Sequence, residues 1–106
     1  MLNDAIELAQ TEHIVYFLLT AYVETLDFYE FIPARAKQLP MAGKADVLDR
    51  LRILRNLRKA HAQNGSKEHA VIEETIDVFS TALQRLTALN FQNHVSTAVD
   101  IQRGYA

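Results

Sequence analysis

Four histidines and thirteen carboxylates are the residues of this 106-residue chain whose types and spacing could do chemistry; it contains no cysteine. His69, Glu73 and Asp77 recur every four residues, a spacing that sets three possible metal ligands on one helical face. Carboxylate-bridged bundle sites instead pair a Glu-x-x-His motif on two helices with glutamates on the others. No Glu-x-x-His occurs here, so a solvated polar face is the expectation and no metal or other cofactor is assigned. His13, Glu24 and Asp27 share a face in the same way, with Glu7, Glu12 and Glu30 nearby. Two carboxylates can divide acid and base roles only where a pocket raises one pKa, and the sequence gives no sign of one. Without cysteine there is no disulfide framework, thiolate zinc site or cysteine nucleophile. Ser66, Ser80 and Ser96 lie in no nucleophile-elbow context, and no phosphate loop, dinucleotide fingerprint or HExxH is present. The balance leans away from an enzyme.

His61 carries the most specific local pattern, within Arg58-Lys59-Ala60-His61-Ala62-Gln63-Asn64-Gly65-Ser66. This run resembles the signature of the histidine-phosphotransfer family, Ala-His-x-x-Lys-Gly-Ser on the second long helix of a four-helix bundle. Ala60, His61, Gly65 and Ser66 match; the family's Lys is Asn64 here and its Leu is Gln63. The resemblance covers about seven residues. It implies a phosphoryl carrier with His61 as acceptor, the alternative function. Residue patterning alone places His61 on the apolar side of its helix near the C-terminal end, where an imidazolium suits the helix dipole.

Charge is unevenly distributed. Residues 1–34 hold six acids and no Lys or Arg, for −6; residues 35–67 hold nine bases and two acids, for +7; residues 68–106 sum to −3. Arg50, Arg52, Arg55 and Lys59 form a candidate anion-binding set on one helix, and a third functional reading is anion or nucleic-acid binding there. Net acidity, the absence of interleaved aromatics and the absence of a helix-turn-helix signature count against nucleic acid. A basic helix packed between acidic ones of its own bundle is the simpler expectation.

These residues need elements to position them. The three glycines and two prolines all fall where helices can stop, and the long stretches between are rich in Ala, Leu, Glu, Gln and Arg. No strand pattern occurs. A first helix is expected over about 3–31, with Leu8, Val15, Leu18, Leu19, Tyr22, Leu26 and Tyr29 on one side. Pro33 then stops it or opens a short turn. A second is expected over 44–63, with Val47, Leu51, Ile53, Leu54, Leu57 and Ala60 inward, and with Arg50 near the apolar side facing Asp46 four residues earlier. A third runs over 67–89, capped by Ser66 and striped by Ile72, Ile76, Phe79, Leu83 and Leu86. Beyond Leu89 the apolar phase changes, which predicts a break near 90–93 and a short terminal helix. The expected fold is therefore all-α: one domain over 1–106, an up-down bundle of three long helices plus a short C-terminal helix.

Six of the nine aromatics fall between residues 16 and 31: Tyr16, Phe17, Tyr22, Phe28, Tyr29 and Phe31. The segment is apolar beyond the width one side of a small bundle covers, which marks these six as candidate interface residues. The leading functional expectation is a non-enzymatic protein–protein interaction module, a homo-oligomer with a dimer as the commonest closed form. The most apolar window is ten residues, half of a membrane span, and the N-terminus lacks a basic signal-peptide region. A cytoplasmic location without membrane attachment is expected.

Overall fold

Thr11 sets the first boundary. Its Oγ1 accepts the backbone N–H of Ile14 (3.3 Å), capping a helix that begins at the next residue. The chain therefore opens with two helices: α1, Leu2–Leu8, and α2, Glu12–Thr25, which tightens into a 3-10 turn over Leu26–Phe28. A second 3-10 turn covers Ala34–Lys37 after Pro33. α3 spans Lys44–Ala60 and α4 spans Lys67–Gly104. This computed structural model describes residues 1–61 and 65–104, with side chains as far as Phe91. The turn expected at Asn64 and the last residues of the second helix lie outside the described residues, as do side-chain placements beyond Phe91.

The architecture is a helical bundle without strands among the described residues. α4 is the spine: α1, α2 and α3 all pack on it, and the Ala34–Lys37 turn packs on α3. Ile72, Ile76, Phe79, Ala82 and Leu86 of α4 meet Ile6 and Ala9, Val15, Leu19 and Val23, and Val47, Leu51 and Leu54 in one buried core. Each fully buried Leu, Ile or Phe contributes roughly 1.5–3 kcal/mol.

Two element boundaries differ from the periodicity. The expected 3–31 helix is broken at Ala9–Thr11, because Thr11 starts a new helix and the Ala9 carbonyl is taken by Arg85 Nε of α4 (2.8 Å). The break rotates α1 relative to α2, so Leu8 leaves the core and is 73% exposed, while Val23 joins it. At the other end α4 continues to Gly104 with no break at 90–93, so the short helix of this bundle is N-terminal. Phe91, where the apolar phase changes, is exposed on an unbroken helix.

α3 starts at Gly43, and the Asp46 carboxylate reaches back to accept the N–H groups of Ala42 (2.9 Å) and Gly43 (3.2 Å). Ser66 opens α4 as expected, its Oγ accepting the N–H of His69 (3.0 Å). Gly65 precedes it at φ 89°, a left-handed conformation that glycine adopts without steric cost. Among the described residues no helix is long and apolar enough to cross a membrane.

Candidate interaction surface

On α2, Val15, Leu19 and Val23 face the core, which turns Ile14, Phe17 and Ala21 directly outward. Phe17 is 67% exposed and Phe28, in the following 3-10 turn, is 88% exposed. Residues 14, 17, 21, 24 and 28 step by three and four, the spacing of a coiled-coil seam, and four of the five are apolar. Glu24 is the exception. A row of this kind, aimed away from its own core, is the most distinctive surface of the chain.

The six aromatics divide between this row and the core. Phe17 and Phe28 stand on the row, and Tyr29 is at the margin of exposure. Tyr16 is half-buried against the core, where desolvation first, then Glu12 and Asp46, raise its phenol above the ordinary value. Tyr22 is committed to the interior: its hydroxyl lies 3.1 Å from Thr75 Oγ1 of α4. Because the Thr75 proton goes to the Val71 carbonyl (2.8 Å), Tyr22 is the donor of that bond. Burial raises the Tyr22 phenol, and Glu74 and Tyr29 add to the effect. Phe31 is half-buried and joins two rings, Tyr29 (5.7 Å between centroids) and His61 (6.1 Å). Ile14 and Ala21 escaped the aromatic search, although their heptad spacing from Phe17 and Phe28 was present in the sequence.

His61 sits past the last turn of α3, its N–H bonded to the Leu57 and Arg58 carbonyls and its ring half-buried against Phe31. Gly65 and Ser66, which match the phosphotransfer signature, occupy the turn and cap before α4 rather than a continuing helix. Ala62 to Asn64 lie outside the described residues.

The four cations grouped as an anion site do not all face one surface. Arg50 is only 8% exposed and turned inward, donating to the Gln38 carbonyl (3.1 Å) and the Asp46 carbonyl (3.3 Å). Its guanidinium also lies 3.8 Å from the Asp46 carboxylate and 3.6 Å from that of Asp49. The apolar surroundings of its position on α3 made this inward turn readable. Arg52 is exposed and paired with Asp49 at 2.7 Å, while Arg55 and Lys59 are exposed on the same flank. Leu48, 49% exposed, lies between them and Lys44. Beside it a shallow groove of about 310 Å³ is lined by Ala45, Leu48, Asp49 and Arg52.

The His69/Glu73/Asp77 face is partly solvated, with Asp77 exposed and His69 and Glu73 half-buried, and it also makes contacts between helices. Glu73 meets Arg58 of α3 (3.5 Å) and His69 (3.7 Å), and Asp77 accepts from Asn3 Nδ2 of α1 (2.6 Å). Among the described residues no three His, Asp or Glu side chains converge as a metal-binding group. No known family model, curated protein or solved structure matches this chain.

Proposed function

We propose that the chain is a non-enzymatic interaction module that self-associates through the outward face of α2. The observation that carries this reading is the row Ile14, Phe17 and Ala21, set opposite the core side of α2 and followed at heptad spacing by exposed Phe28 in the 3-10 turn. Apolar side chains aligned in this way gain by burial against another helix, at roughly 25 cal/mol per Å² removed from water. An isolated exposed Leu carries no such meaning; a row in register with one helix face does. The cytoplasmic, cofactor-free character expected from composition belongs to the same proposal.

The test is Phe17→Glu. Phe17 makes no contribution to the core, so the variant is expected to keep its helical circular dichroism and melting temperature while losing self-association in light scattering. A variant that unfolds, or one that retains the wild-type mass, counts against the reading.

A further inference from the structure

The charges of residues 1–34 are not neutralised by α3 within one molecule. Among the described residues, the ion pairs made from α3 and the preceding turn, by Arg35, Arg50, Arg52 and Arg58, go to Asp46, Asp49 and Glu73. The one ion pair that an acid of residues 1–34 makes among the described residues is that of Asp4 with the N-terminal amine. Glu24, Asp27 and Glu30 are exposed beside the apolar row of α2. On α3, Lys44, Leu48, Arg52, Arg55 and Lys59 follow one another by four, four, three and four residues along one flank. The chain therefore presents two elongated helix faces: one apolar and acidic, the other basic around an exposed Leu48 and its groove.

Resting on the self-association proposed above, the geometry points to its partner surface: the acidic, apolar face of α2 docks on the basic flank of α3 of a second copy. Pairing α2 with α2 would bring together two faces whose charged residues, Glu24, Asp27 and Glu30, are all acids, a like-charge contact that disfavours association. Pairing α2 with α3 sets Glu24, Asp27 and Glu30 against Arg52, Arg55 and Lys59 at the C-terminal half of α3. It also seats the apolar row on Leu48 and the adjoining groove, with the aliphatic stems of the Arg and Lys side chains extending the apolar contact. The two faces are different, so the contact is heterologous: it closes into a ring or continues as a chain of copies.

The first test is a salt titration of the wild-type protein by light scattering. Because the interface is charged and exposed before contact, raising NaCl from about 0.05 M to about 0.5 M should weaken association by roughly tenfold or more. The second uses two variants, Arg55→Glu with Lys59→Glu, and Glu24→Lys with Glu30→Lys. All four positions are exposed, and circular dichroism verifies each fold. Each variant alone should be monomeric, since its two faces now carry one sign. An equimolar mixture restores opposite signs at every contact and should recover the assembly. A wild-type assembly indifferent to salt, or either variant alone remaining assembled, overturns the α2–α3 pairing and leaves self-association standing. A monomeric wild type at low salt overturns both.

Discussion

Arg50 and Arg52 stand two residues apart on α3 with opposite fates. Arg50 ties the 38–49 region together through two backbone carbonyls and two carboxylates, from a buried position. Arg52 holds one carboxylate at the surface. Removing Arg50 strands the Gln38 carbonyl and leaves two acids without their inward cation. Arg50→Ala should cost roughly 2–4 kcal/mol in denaturant unfolding. Arg52→Ala should stay within about 0.5 kcal/mol of wild type, as exposed ion pairs do. Equal losses in the two variants would contradict the assignment. Tyr22 gives a pH signature. Its phenol is raised in the folded state, so its stabilising contribution is fully present below the unfolded value near 10 and is lost as pH rises through the folded value. In melts followed up to about pH 11, wild type should lose stability more steeply than Tyr22→Phe. Parallel curves would show that Tyr22 is not the group responsible.

At the scale of elements, α3 and the start of α4 were legible because the signals were local. Gly43, Gly65 and Ser66 mark their ends, and Val47, Leu51, Ile72 and Phe79 keep strict phase with the core. The division of α1 from α2 was not legible. Ala9-Gln10-Thr11 contains neither Gly nor Pro, and Ile14 stands where a capping box would have Glu. The deciding contact, Arg85 with the Ala9 carbonyl, spans 76 positions of sequence and is tertiary. Thr11 should therefore matter as a cap. Thr11→Ala is expected to lose about 1 kcal/mol and Thr11→Asn to recover most of it, read as shifts in thermal unfolding. A neutral Thr11→Ala would mean that Arg85 and packing set the break unaided. Phase was likewise misleading beyond Leu89, where a shift in the apolar pattern accompanies no break in the helix.

For the whole molecule, sequence patterning identified a helical bundle and pointed to the first third as its unusual surface. It did not separate core from surface within that surface. Periodicity places Tyr22 on the inward stripe and leaves Phe17 off it, yet aromatic clustering groups both as interface candidates. The packing of α2 against α4 buries Tyr22 against Thr75 and leaves Phe17 outside. The expectation that α3 would pack between acidic neighbours holds toward α4, where Arg58 meets Glu73; among the described residues no α3 cation pairs with an acid of residues 1–34. The α3 cations that pair do so with acids on α3 and α4, which leaves separate acidic and basic faces on one chain. Those faces, and the apolar row between the acids of α2, make self-association the central claim. The most direct measurement is the solution mass of the wild-type protein by light scattering across a concentration series at low salt. The account predicts a mass that rises above the 12.0 kDa of one chain toward its multiples. A mass that stays at one chain through the highest concentration would contradict it.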